Sequence, residues 1–250
     1  MKKFELIPFA TAGELARAVA SAWLDEIESA HRAGKLHCVA LSGGRITRKF
    51  FTSFVEQARA RKIRNGGKPS LPSNVHFFWA DERCVPPDDP ESNFKPASEL
   101  LFKPLKVPES QIHRIRGEDS PAAAVKAAES ELRRVVGSTD RFAGAPKLDL
   151  IFLGMGEDGH VASLFPDAPA EIAGCPGPFL FIENSPKPPP WRISLSYAAM
   201  VAAGQVWVLI SGAGKEKALR ESLDFSGKTP LAQVIQMRQN TRIFSVIRPN

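Results

Sequence analysis

The stretch from residue 148 to 166, LDLIFLGMGEDGHVASLFP, restricts the fold more than any other part of the chain. Residues 148–153 are a short, mostly apolar run. A strand with one face in water alternates polar and apolar residues, whereas a run like this fits a strand covered on both faces, as in a parallel sheet. Gly154, Gly156 and Gly159 then break it, and Glu157, Asp158 and His160 ride on the turn that follows. Ligands of open α/β sheets gather beyond the carboxyl ends of the strands, so these side chains stand where a substrate could meet them. The residues by themselves leave two readings open. Asp158 and His160 form an acid–histidine pair that does chemistry, or Asp158 caps a short helix and His160 bonds only locally.

Two other stretches repeat the pattern of strand, then glycine. Residues 35–41 read as a strand ending in Ser42-Gly43-Gly44, and a helical rhythm resumes over 45–60 through Ile46, Phe50, Phe51 and Phe54. Glycines there would let the backbone approach a phosphate, whose charge the unpaired N–H groups and the helix dipole favour; a simple tight turn explains the same letters. Residues 206–210 form a second buried strand, ending in Ser211-Gly212-Ala213-Gly214-Lys215 before a helix over 216–223. The spacing lacks the full GxxxxGK[ST] of an ATP-binding loop, so nucleotide binding is not supported.

Between these stretches, 11–33 and 122–136 have helical apolar spacing, 61–73 reads as an exposed loop, and 75–79 reads as a strand delivering Asp81, Glu82 and Arg83. These three are either solvated loop charges or, at the carboxyl edge of a sheet, a place where Arg83 meets an anion. A helix from Ser92-Asn93 to Phe102, short strands at 111–115 and 178–182, a short helix around Met200 and a last strand at 243–247 complete the pattern. Residues 185–192, Ser-Pro-Lys-Pro-Pro-Pro-Trp-Arg, contain a PxxP pattern, but they read better as an ordered segment fixing Lys187 and Arg192 than as an SH3-type ligand. Strands alternating with helices, without a repeat or a clear linker, predict a single α/β domain over 1–250: a doubly wound, mostly parallel sheet with helices on both faces.

Composition narrows the function. Hydrophobic residues at 43% and charged residues at 24% argue against disorder, and no apolar run reaches the roughly 20 residues that span a bilayer. The start, MKKFELIPFATAGELA, has no apolar core of a signal peptide, so a cytoplasmic location without membrane attachment is expected. Cys38, Cys84 and Cys175 are widely spaced, without a CxxC pair, and read as reduced thiols rather than a zinc site. A formal charge of +6 suits an anionic ligand, but the cations are scattered. The basic cluster at 59–64 before Asn65-Gly66-Gly67 reads as a solvated helix end, and no nucleic-acid partner is expected.

Taken together and in this order, LSGG (41–44), WADER (79–83), SNF (92–94), LGMGEDGHVASLFP (153–166), ENSPKPPPWRISLS (183–196) and SGAGK (211–215) resemble the 6-phosphogluconolactonase family over most of the chain. The resemblance implies the fold shared with glucosamine-6-phosphate deaminases and hydrolysis of 6-phospho-D-glucono-1,5-lactone in the pentose phosphate pathway. No metal and no cofactor are implied, and a monomer is expected. By the same resemblance His160 activates water, Asp158 orients it or manages protons, and Arg83 is the first candidate for stabilising the oxyanion. Ser42, Gly43 and Gly44 hold the phosphate with Lys215 and Arg192, while Asp81, Asn93 and Lys187 line the pocket. Two positions depart from the family pattern. Arg45-Ile46-Thr47 replaces the usual continuation SGGSTP, so Arg45 either supplies a charged contact to the phosphate or points into solvent, and Val161 stands where a threonine is usual. A sugar-phosphate isomerase or deaminase, and a non-catalytic sugar-phosphate sensor, are the competing readings. SPKPPPWR argues against the first, and intact Asp158, His160 and Arg83 argue against the second.

Overall fold

The computed structural model describes residues 3–64, 71–137 and 146–248. In chain order the elements are β1 (Phe4–Pro8), α1 (Ala12–Arg32), β2 (His37–Leu41), α2 (Arg45–Arg64), β3 (Val75–Trp79), β4 (Asp81–Arg83), α3 (Phe94–Ala97), a π-helical turn (Ser98–Phe102), α4 (Lys103–Leu105), a 3-10 turn (Glu109–Gln111) and α5 (Pro121–Val136). There follow β5 (Leu150–Gly154), α6 (Ala170–Ala173), β6 (Phe179–Ile182), β7 (Arg192–Leu195), α7 (Tyr197–Ala202), β8 (Gln205–Ile210), α8 (Glu216–Leu223), α9 (Pro230–Met237) and β9 (Thr241–Ser245).

Six strands form one sheet in the order β1-β9-β8-β5-β2-β3, and every neighbouring pair is parallel. Parallel neighbours need crossover connections, which are almost always right-handed. The crossovers β1 to β2 and β2 to β3 step toward one edge, whereas β5 to β8 and β8 to β9 step toward the other. That handedness assigns α1 and α2 to one face and α8 and α9 to the opposite face, in keeping with the packing of α1 on α2 and of α8 on α9. The expected doubly wound sheet is therefore present. Its winding reverses between β2 and β5, where such sheets open a crevice at their carboxyl ends.

The residues of β5 explain its central place: Leu150, Ile151, Phe152 and Leu153 are all buried. On the α1/α2 side, the Trp23 ring packs 4.3 Å from Phe54 and 4.9 Å from Phe152, joining α1, α2 and β5. Its indole Nε1 donates to His37 Nε2 (3.1 Å), an imidazole whose pKa burial lowers, so a neutral acceptor meets the donor. At the start of α1, Thr11 Oγ1 caps the helix by accepting from Glu14 N (3.1 Å), while the Glu14 carboxylate reaches back past the cap to accept from Ala10 N (3.2 Å).

A second, antiparallel sheet in the order β4-β7-β6 was not anticipated. Asp81, Glu82 and Arg83 are not loop charges but a strand, in register with Ser194, Ile193 and Arg192. Other boundaries shift. α2 runs on to Arg64, four residues beyond the expected helix end, and residues 65–70, including Asn65-Gly66-Gly67, lie outside the described residues. The strand expected at 111–115 is replaced by a 3-10 turn and a single bridge from Ile112 to Phe77. β1 and α9 had no counterpart in the sequence reading. Among the described residues no helix is long and apolar enough to cross a membrane, and the three cysteines are unpaired.

Candidate active site

Beyond β5 the chain folds tightly back on itself, with Gly156 N donating to His160 O (2.9 Å) and Gly159 N to Gly156 O (3.2 Å). This brings His160 Nδ1 to 2.5 Å from Asp158 Oδ1, which also accepts from His160 N at 3.2 Å. An ionised carboxylate only accepts, so the geometry assigns the proton to Nδ1 and leaves the Nε2 lone pair free. Burial pushes the His160 pKa below its ordinary value, with Asp158 opposing in part. Burial resists ionisation of Asp158, yet the bonds from His160 and the charge of Lys187, 3.6 Å from Oδ2, hold its carboxyl below the usual range. The helix-cap reading of Asp158 is not realised: the next helix begins only at Ala170. Gly156 is required here because a Cβ would overlap both His160 Nδ1 and Asp158 Oδ1. Gly159, at φ 81°, backs onto Thr229, the N-cap of α9, and its carbonyl accepts from Leu231 N at 3.2 Å. Thus α9 braces the loop that carries His160.

The turn after β2 rests on a buried acid pair. Asp81 accepts from Ser163 Oγ (2.7 Å), Asn93 Nδ2 (3.2 Å) and, more weakly, Ser42 Oγ (3.4 Å). Glu82, on the adjacent position of β4, accepts from the backbone N of Asn93 (2.7 Å) and Phe94 (2.9 Å) and from Ser92 Oγ (3.0 Å). Burial nevertheless pushes the Glu82 carboxyl up to about 7. The two acids therefore pin residues 92–94, and the Asn93 amide lies directly beneath Gly43, where a Cβ would overlap Asn93 Oδ1. Gly44 follows at φ 125°, a conformation that favours glycine, and leads into α2.

The cations are held in different ways. Lys215 Nζ donates to Met155 O (2.6 Å), and burial, assisted by nearby Arg45, lowers its pKa. Arg192 is buried and donates to the carbonyls of Lys187 (3.0 Å), Pro188 (3.2 Å) and Pro189 (3.1 Å), so the proline run wraps the guanidinium as an ordered segment. Arg83 Nη1 donates to Glu91 O at 2.6 Å, while its buried Nε has no hydrogen-bond partner among the described residues. The Arg45 side chain is 73% exposed and pairs with Glu157 at 3.3 Å.

These elements enclose a cleft of about 190 Å³ lined by Ser42, Gly43, Gly44, Arg45, Asp81, Arg83, Asn93, His160, Lys187, Arg192 and Lys215. Every expected site residue lies on it except Asp158, which is bonded to His160. Gly154, Gly156 and Glu157 of the central stretch line it too, and Ile46, Met155, Ala162, Leu209 and Ser211, which complete the lining, were not among the expected site residues. Nor was Ser163, whose hydroxyl secures Asp81 from inside the apolar stretch ASLF. Val161, at the position of the usual threonine, is fully buried. Among the described residues no group of three or more His, Cys, Asp or Glu is placed to hold a metal ion.

A family model described as glucosamine-6-phosphate isomerases/6-phosphogluconolactonase matches residues 10–244. The 6-phosphogluconolactonase of Mycobacterium tuberculosis is 38% identical over 176 residues, 68% of this chain and 69% of its own length. The crystal structure of a 6-phosphogluconolactonase from Thermotoga maritima superposes with a TM-score of 0.77 at 26% identity, covering 97% of this chain and 98% of that one. A monomeric glucosamine-6-phosphate deaminase reaches 0.76 at 17% identity, over 96% of this chain and 97% of its own, a likeness of fold alone. Matched along most of its length in sequence and in fold, the chain belongs to the glucosamine-6-phosphate isomerase/6-phosphogluconolactonase family.

Proposed function

We propose that the chain hydrolyses 6-phospho-D-glucono-1,5-lactone to 6-phospho-D-gluconate, the lactone-opening step of the oxidative pentose phosphate pathway. One observation carries the reading: His160, held from behind by Asp158, and the glycine turn with Lys215 face the same cleft. The substrate has a phosphate at one end and an acyl carbon at the other, matching an anion site and a base set apart along one cavity. Held by its phosphate at Ser42–Gly44 and Lys215, the lactone presents its carbonyl to a water on His160 Nε2. The imidazole takes one proton as the water oxygen bonds to the acyl carbon. Asp158 holds the Nδ1 proton and stabilises the imidazolium, and the Arg83 side chain, on the cleft wall, faces the oxyanion. Collapse breaks the bond to the ring oxygen, which leaves with the proton from His160, and the product is the open-chain acid. Anchoring the phosphate contributes orientation, an effect able to remove several kcal/mol of barrier when the geometry is right, on the order of 7–11 kcal/mol at its limit. A single domain, a monomeric state and a cytoplasmic location go with this reading.

Acid release from the lactone, measured above the spontaneous rate and beside ammonia release from glucosamine 6-phosphate, tests it. Acceleration of the first without the second is expected; binding of 6-phosphogluconate with no acceleration would favour a sensor. Lys215→Ala is expected to raise KM with little change in kcat, since Lys215 faces the remote anion rather than the acyl carbon.

The pH profile follows from His160. The working base is the neutral imidazole, and its pKa in the free protein lies below the ordinary 6.5, so kcat/KM should be level around pH 7 and decline only as pH falls below that ordinary value. An acid limb centred at or above 6.5, after subtraction of spontaneous hydrolysis, would contradict the assignment.

A further inference from the structure

The charge at the mouth of the cleft is arranged in an unusual way. Arg45 is the first residue of α2, where the helix dipole disfavours a cation, so the helix start does not itself hold the guanidinium. Among the described residues its one hydrogen-bond partner is Glu157, reached from the far side of the cleft. The pair lies over the turn after β8. A Cβ on Gly212 would stand 3.5 Å from Arg45 Nη1, and one on Gly214 would stand 3.6 Å from Glu157 Cδ. Among the described residues Lys215, at the end of that turn, is bonded only to the uncharged carbonyl of Met155 and has no carboxylate partner.

We propose that Glu157 is a counter-ion that tempers phosphate binding, holding Arg45 across the mouth until a phosphate dianion displaces it. The inference rests on the reading that Ser42–Gly44 and Lys215 receive the substrate's phosphate. Both members of the pair are largely exposed, at 73% and 55%, so their bond is weak and exchanges readily. A dianion offers two charges and a bidentate edge to the guanidinium and displaces a single carboxylate. A neutral sugar lactone cannot, and it leaves the mouth bridged. Glu157 thereby lowers affinity for the phosphate dianion, which must displace it from Arg45, and leaves that for a neutral lactone unchanged.

The probe is inorganic sulfate as a competitive inhibitor, together with kcat/KM for the phosphorylated lactone and for unphosphorylated glucono-1,5-lactone. In Glu157→Gln, sulfate should inhibit about two- to fivefold more tightly and the preference for the phosphorylated lactone should widen by a similar factor. Arg45→Ala should raise KM for the phosphorylated lactone, and adding Glu157→Gln should recover part of that loss, because an unpaired carboxylate would otherwise face the phosphate. Glu216→Gln removes another exposed carboxylate, from the neighbouring helix start, and serves as the control. Equal effects from Glu216→Gln and Glu157→Gln would overturn the proposal, as would a Glu157→Gln enzyme with parental sulfate inhibition and selectivity. If Lys215→Ala also leaves KM unchanged, the phosphate reading of the turn falls with it. If Lys215→Ala raises KM while Glu157→Gln is silent, only the role of Glu157 falls.

Discussion

His160→Ala lowers kcat by about 10²–10⁴-fold and leaves KM close to that of the parent. The expectation follows from where the imidazole stands. Its Nδ1 is committed to Asp158, its Nε2 is free to serve the attacking water of the proposed mechanism, and the groups proposed to bind the anion follow other strands. Asp158→Asn should lower kcat as well, since an amide supplies its oxygen less strongly and cannot stabilise the imidazolium by charge. Steady-state kinetics on the lactone, corrected for its spontaneous opening, decide the matter. Turnover by the alanine variant near the parental rate would remove His160 from the chemistry.

Gly43→Ala is expected to have the second largest effect, raising KM at least tenfold and destabilising the fold by roughly 1–3 kcal/mol. The new methyl would overlap Asn93 Oδ1, and Asn93 has little room to yield. Its backbone N is bonded to Glu82 at 2.7 Å and its Nδ2 to Asp81 O at 2.9 Å. Either the turn lifts away from the cleft or the amide leaves a buried carboxylate with one donor fewer. Thermal melting and KM read the two outcomes separately. Adding Asn93→Ala removes the overlap and should restore part of the stability of the single variant. A Gly43→Ala protein with parental melting temperature and KM would show that the turn tolerates a side chain and does not cradle the anion by close approach.

Much of the site was legible because it follows parallel strands. A buried strand that stops at glycines announces its carboxyl end, and Gly43, Gly156 and Lys215 all follow that pattern. What stayed hidden depended on partners far away in the chain. Asp81 and Glu82 are consecutive acids without any apolar alternation, so nothing local marks β4 as a strand. They are buried only because Ser163 and residues 92–94 supply donors, and such pairings have no signature in sequence. The strand expected at 111–115 failed for the opposite reason: its apolar residues suit a strand, but a 3-10 turn leaves Ile112 alone in bridging distance of β3. α9 did carry local marks, a threonine cap followed by proline, in an eight-residue segment too short for its periodicity to stand out. Arg45 was legible as a departure from the family pattern; its pairing with Glu157 required the fold to bring residues 45 and 157 together.

A single residue, Ala80, separates the parallel sheet from the antiparallel one. Its N–H donates to Leu41 O in the first at 2.7 Å, and its carbonyl accepts from Leu195 N in the second at the same length. Trp79 and Asp81 on either side are buried, as is Ala80 itself. The wall bearing Arg83 and Arg192 is thus welded to the floor bearing Ser42, without a hinge along that seam. Along that seam the cleft behaves as a fixed mould rather than a jaw, its shape and charge set in advance of any ligand.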